Sequence, residues 1–269
     1  EPMRDQVYIM ACLWVGVLSL YVLVRRLAGR YIETNEGAID IAAAFSGFMY
    51  AANLNTISTF YFPIITYITR YASIPLLVLV FDKVLHDRPL GIRTIAFFIG
   101  AVLFSAGSFI TATVFFTTGI LLGLYVLFQG AGRRGFLLFF VFVCLNAFWL
   151  VPFANYTREK SASLRLAPVF IDTNEAQLNQ SPQSYSLWKQ LILYPNFFYT
   201  RYPRVSDERS APLFPLTECI DSVQGQTVLG VFPAIALLGV GLIFLAKRKY
   251  YRIFWIPATY LLFIILSSQ

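Results

Sequence analysis

Histidine occurs once in these 269 residues, cysteine three times, and charged side chains make up only 13% of the chain. The single His86 excludes bis-histidine haem ligation and a histidine-rich metal centre. Cys12, Cys144 and Cys219 show neither a CxxC pair nor metal-ligand spacing. Cys12 and Cys144 sit in apolar runs and read as packing residues, and Cys219 has no external partner for a disulfide. No Walker A, GxSxG, HExxH or GxGxxG sequence occurs, which argues against ATPases, serine hydrolases and zinc proteases. Heptads, low-complexity tracts and a clear internal repeat are also missing. The lack of an inverted repeat argues against the commonest secondary-transporter architectures. The chain starts at Glu1-Pro2-Met3 without a signal-peptide pattern and stops at Gln269 as an apolar run finishes, so both ends read as cut. A segment of a longer polytopic protein is the expectation.

What is present is apolar. Hydrophobic residues make up 58% of the chain and the mean hydropathy is +0.65, against roughly 45–50% apolar and about 25% charged in soluble domains. The bilayer is therefore the expected solvent. A net charge of +7 would suit nucleic acid, but positive-inside loops on a chain poor in acids explain it more simply, so no nucleic-acid partner is expected.

Four basic clusters hold 12 of the 21 Lys and Arg: Arg25/Arg26/Arg30, Lys83/Arg88/Arg93, Arg133/Arg134 and Lys247/Arg248/Lys249/Arg252. Each ends a long apolar run, and every second gap between runs holds one. Short basic loops stay cytoplasmic, so the clusters orient the chain as well as dividing it. A crossing needs roughly 20 apolar residues. On that measure the spans are Val7 to Val24, Ala38 to Leu54, Pro63 to Phe81, a hairpin from Ile95 to Phe128 turning around 105–113, Phe136 to Phe153, Val228 to Ala246 and Ile253 to Leu266. The expected fold is an all-α integral membrane protein with about eight transmembrane helices. Residues 1–153 form a six-helix region, 154–226 one large external loop, and 227–269 a two-helix region, in the plasma membrane with both ends outside.

The external loop is nearly neutral, with seven Lys and Arg against seven Asp and Glu. Two sequons fall in it, at Asn155 and Asn179, the second weakened as an acceptor by Pro182. Trp188 to Tyr194 reads as an amphipathic interfacial helix. The segment 196–204, which includes Arg201, is dense in aromatics and arginine; it suits a membrane-interface belt more than a sugar platform. Asp207-Glu208 and Glu218/Asp221 are of the type that serves as base or holds a divalent cation, though such loop acids are usually just solvated. No resident cofactor or metal site is identified.

Arg70 is the most informative charge outside the loops. It stands about seven residues into the third span, where an ionisable group is costly. Two readings stand side by side: an anchor that snorkels outward with Tyr67, Thr69 and Tyr71 beside it, or a clamp for a phosphate, which guanidinium binds bidentately.

Several stretches resemble the GT-C superfamily of polytopic glycosyltransferases. Tyr21-Val-Leu-Val-Arg-Arg-Leu27 is similar to a "Y-x-L-x-R-R-L" helix end, and Met49-Tyr50-Ala51-Ala52-Asn53 to "LLYALNP", with Leu54 in place of the proline. Arg70 followed by Ile74-Pro75-Leu76-Leu77 looks like a helix opening with Arg and continuing into "LP-LL". Asn146-Ala-Phe-Trp-Leu-Val-Pro152 resembles "N-x-(Y/F)-W-L-x-P" before a large external loop. The likeness covers most of 10–153 and more loosely 228–269, and arabinofuranosyltransferases are its nearest picture. It implies a donor sugar on polyprenyl phosphate, a glycan or protein acceptor, and membrane lipids as surroundings. From their own chemistry and placement, Arg70, Tyr67, Tyr71, Trp188 and Arg201 are the expected substrate-binding residues. The family's catalytic acid lies in the first external loop, which the resemblance implies would precede Glu1. No catalytic residue carries over; Glu1 and Asp5 lie nearest, and Asp5 is the stand-in. A non-catalytic membrane subunit or a transporter is the competing expectation.

Overall fold

The computed structural model describes residues 2–31, 35–52, 65–88, 90–109 and 112–165, together with Thr56 and Phe60. Seven α-helices account for nearly all of them, and no strand occurs among them. They are α1 (Pro2–Tyr31), α2 (Glu36–Ala52), α3 (Ile65–His86), α4 (Ile92–Ala106), α5 (Ala112–Phe128), α6 (Gly132–Leu145) and α7 (Ala147–Arg165). The described residues fall into two compact units, one running through Ala147 and one starting at Phe148. The expected last two spans, and the loop beyond Arg165, lie outside the described residues.

α3 is the centre of the first unit. Its sequence is apolar on every side, as a helix surrounded by others must be, and from Leu76 to Phe81 no residue is exposed. α1 packs along it, α2 packs on α1, and α4, α5 and α6 close round the rest. An aromatic core joins the last four: Phe81 meets Phe98 of α4 at 5.6 Å and Phe142 of α6 at 6.0 Å, and Phe142 stacks on Phe115 of α5 at 5.5 Å.

Side-chain contacts fix the direction of each helix. The Tyr8 and Thr69 hydroxyls lie 2.6 Å apart near the starts of α1 and α3, while Arg26 and Asp82 meet near their ends. These two helices are parallel. α2, which lies between them in the chain, runs back along α1: Asp40 near its start pairs with Arg25, and Gly47 near its end packs on Val17. The turn after α4 brings Gly107 beside Thr69, and Tyr125 near the end of α5 reaches Asp82. Alternation of helix direction is thus built into the first five helices.

Two turns show why the chain reverses where it does. After α4, Ser105 and Ser108 bond back to the carbonyls of Val102 and Ser105 at 2.7 and 2.6 Å, offering the backbone an alternative to helix. After α5, Gly130 and Gly132 take φ of +63° and +51°, a left-handed backbone that glycine adopts without steric cost. The expected hairpin over 95–128 is present, as α4 and α5.

Other boundaries differ from expectation. α1 continues past Val24 to Tyr31, and α3 past Phe81 to His86, because the charged residues there face inward to one another instead of entering a loop. The expected sixth helix is interrupted at Asn146, which is fully buried and donates Nδ2–H to the Phe142 carbonyl at 2.8 Å. α7 then carries helix to Arg165, into the stretch read as loop.

Among the described residues one helix, Arg4–Tyr31, is long and apolar enough to cross a membrane. Around its apolar core the first unit also buries polar side chains and exposes many large apolar ones. Asp82, Asn146, Ser105, Ser73 and Thr69 are buried, whereas Trp14, Ile41, Phe48, Ile92, Phe116 and Phe136 are each more than half exposed.

Candidate functional site

Two polar regions lie at opposite ends of α3. The first surrounds Arg70. Tyr67, Arg70 and Ile74 sit three or four residues apart, a spacing that places them along one side of a helix. The gradient of exposure is clear: Tyr67 is exposed, Arg70 half-buried and Tyr71 buried. Among the described residues no carboxylate pairs with Arg70.

Tyr71 faces inward. Its ring stacks on Tyr50 of α2 at 4.3 Å and takes Phe60 edge-on at 5.1 Å. Its hydroxyl has no hydrogen bond of good geometry among the described residues, although Thr56 lies close by. Tyr71 therefore stands as a wall behind Arg70. Asp5 is exposed on α1, one turn before Tyr8 and so at this same end, with Arg4 Nε 3.8 Å away. Trp188 and Arg201 lie outside the described residues.

The wall has a backbone reason. Pro75 lacks an N–H, so the carbonyl four residues earlier, that of Tyr71, loses its helical partner. The Tyr50 hydroxyl donates to that carbonyl at 2.8 Å. Proline, stack and cross-helix bond are thus one device that fixes α2 against α3 just below Arg70. Tyr50→Phe should cost about 1–2 kcal/mol, the penalty for an unsatisfied buried carbonyl. Pro75→Ala restores the missing N–H, so in a double-variant cycle by thermal unfolding the Tyr50→Phe penalty should shrink on that background. An unchanged penalty would refute the link.

The second region centres on Asp82, whose side chain is fully buried. Arg26 Nε donates to Oδ2 at 2.9 Å, Arg30 Nη1 to Oδ1 at 2.7 Å and Nη2 to Oδ2 at 3.1 Å, and the Tyr125 hydroxyl to Oδ1 at 2.6 Å. His86 Nδ1 lies 3.2 Å from Oδ1 and 3.1 Å from the Asp82 carbonyl oxygen. Arg26 also reaches Asp87 at 2.6 Å, and the Tyr31 hydroxyl donates to Gln129. Burial pushes the Asp82 carboxyl up, but hydrogen bonds from His86, Arg30, Tyr125 and Arg26 outweigh it and hold the group far below the usual carboxylate range.

This network ties together the ends of α1, α3 and α5. With both oxygens of the Asp82 carboxylate engaged by two guanidinium groups and the Tyr125 hydroxyl, it is a structural lock. No group of acids, histidines or cysteines suited to a metal ion occurs among the described residues. Arg70 stands out in the sequence as a lone charge within an apolar run, whereas Asp82 falls just past the expected end of the third span. The available signal was spacing: Arg26 and Arg30 stand four apart on one helix face, as do Asp82 and His86.

No protein-family model, curated protein or solved structure matches the chain.

Proposed function

We propose that the chain is the membrane-embedded helical core of a GT-C-like glycosyltransferase. It would take its donor sugar from polyprenyl phosphate at the face where Arg70 lies, with a glycan or protein as acceptor. The observation that carries this reading is Arg70 itself. It is a permanent cation, half-buried and without a carboxylate partner among the described residues, at the end of α3 away from Arg26, Arg30 and Lys83. A phosphate anion supplies what that position lacks.

The membrane setting is supported by the exposed apolar faces of the helices. Exposed apolar residues recur at helical spacing, as Val7, Met10, Trp14 and Leu18 on α1 and as Ile41, Phe45 and Phe48 on α2. Contiguous apolar faces of this kind are rare on soluble monomers. The alternating helix directions bring the starts of α4 and α6 and the ends of α1, α3 and α5 to one side, which the positive-inside rule makes cytoplasmic. Arg70 and Asp5 then face outward. The eight spans and the external loop 154–226 complete the proposed topology.

In this arrangement Arg70 would hold the phosphate, Tyr67 would edge the opening, and a carboxylate base would deprotonate the acceptor hydroxyl. The test is sugar transfer from a polyprenyl-phospho-sugar by the full-length protein in lipid vesicles. Arg70→Ala should raise the donor KM about tenfold, from the loss of a charge-assisted hydrogen bond. Normal turnover at low donor would remove the clamp. An inserted, folded wild type that neither binds donor nor transfers would be the non-catalytic subunit or transporter instead.

A further inference from the structure

The basic clusters divide into two kinds. Every arginine of the first is engaged by an acid: Arg25 with Asp40, Arg26 with Asp82 and Asp87, and Arg30 with Asp82. Lys83, Arg88, Arg93, Arg133 and Arg134 make no ion pair with a described carboxylate, and Arg88, Arg93 and Arg133 are exposed. Lys83 lies 5.5 Å from the ring centre of Phe97, one turn from Arg93. The network around Asp82 gathers these residues to one end. α3 finishes there, α4 starts after Arg88, and the Gln129–Gly132 turn, held by Tyr31, launches Arg133 and Arg134 into α6.

Immediately beyond these cations the surface turns apolar. On α4, Ile92, Ile95, Ile99 and Leu103 are exposed at helical spacing, with Arg93 beside the first. On α6, Phe136, Leu137, Phe140 and Val141 are exposed, starting one turn after Arg133. α4 and α6 pack against each other. The order is a free cationic rim, then apolar stripes running away from it. A free phosphate or an acidic protein would use only the rim. An amphiphile with an anionic head and acyl chains matches both parts.

We propose that this rim selects the anionic headgroups of phospholipids, whose acyl chains lie along the stripes of α4 and α6. The inference rests on the membrane reading above but not on the glycosyltransferase one. Juxtamembrane arginines and lysines attract anionic headgroups individually, and here several unneutralised ones converge.

The experiment reconstitutes the full-length protein in phosphatidylcholine vesicles containing a minority of phosphatidylglycerol, with spin-labelled forms of each lipid as probes. Wild type should immobilise the phosphatidylglycerol probe several-fold more than the phosphatidylcholine probe. Arg93→Gln and Arg133→Gln should each reduce that preference and the double variant should abolish it, whereas Arg93→Lys/Arg133→Lys keeps it, and thermal unfolding should report unchanged folding. An inserted protein with equal immobilisation of both probes overturns the proposal. Loss of preference in millimolar inorganic phosphate at constant ionic strength would overturn the lipid source in favour of free phosphate. Release of wild type from vesicles by alkaline carbonate would refute the membrane reading itself, a result distinct from the others.

Discussion

Asp82→Ala should be the most destabilising single substitution in the described helices, by about 3–5 kcal/mol, the range found when one partner of a buried ion pair is removed. The size follows from what is left behind. Arg30 loses two hydrogen bonds and Arg26 one, and the Tyr125 hydroxyl loses its acceptor. Two guanidinium groups would then remain beside a cavity with no counter-charge, apart from Asp87 for Arg26. Asp82→Asn keeps the shape but not the charge, and should cost a large part of the same amount. The converse separates pairing from packing. Replacing Asp82, Arg26 and Arg30 together by leucine or methionine should recover most of the loss, because the desolvation cost goes with the charges.

The pH dependence has a definite sign. A carboxyl whose pKa is lower folded than unfolded stabilises fully above its unfolded value and loses that contribution as pH falls through the folded one. Wild-type stability from Asp82 should therefore be flat from about pH 5 upward and decline only below about pH 4, near the unfolded carboxylate value. The Asp82→Asn protein should lack that part of the acid dependence. Thermal unfolding in detergent across this range measures both. A wild type and Asp82→Ala of equal stability would show that the network does not hold α1, α3 and α5 together.

How far the sequence could be read depended on whether a signal was local. The hairpin of α4 and α5 was legible because its hydroxyls and Gly107 lie within the turn they make. Arg70 was legible because a lone charge in an apolar run stands out. The ends of α1 and α3 were not. Arg25-Arg26 reads as the close of a helix by charge alone, yet the helix continues because Arg26 and Arg30 have a partner 56 and 52 residues away. Distance in sequence hid the pairing, and so a buried lock passed for loop charge. Tyr71 shows the same limit from the other side. Its place beside Arg70 suggests a ligand, but the carbonyl freed by Pro75 recruits Tyr50, and the stack that results turns the ring inward. Asn146 carries no sign of a helix break in its neighbours, so a single apolar run concealed two helices.

Gly16 should be the least replaceable small residue of α1. A Cβ there would stand 2.6 Å from Cε1 and 2.9 Å from Cδ1 of the Tyr71 ring, and 3.4 Å from Cε1 of Tyr50. An exposed side chain could swing aside, but this ring has Tyr50 stacked on it and Phe60 against its edge. Two effects oppose one another in Gly16→Ala. Helix propensity favours alanine by about 1 kcal/mol, while overpacking costs about 1–3 kcal/mol, so a modest net loss is expected. Gly16→Leu has much the same propensity gain and far more volume, so the packing cost prevails and the loss should reach about 3 kcal/mol. Tyr71→Ala removes the obstructing ring and should absorb most of the Gly16→Leu penalty in a double-variant cycle. Additive penalties would mean that α1 does not press on the ring. The same cycle bears on the site, since whatever displaces Tyr71 also displaces its neighbour Arg70. On the proposed function, Gly16→Leu should therefore weaken donor binding while leaving Arg70 itself unaltered.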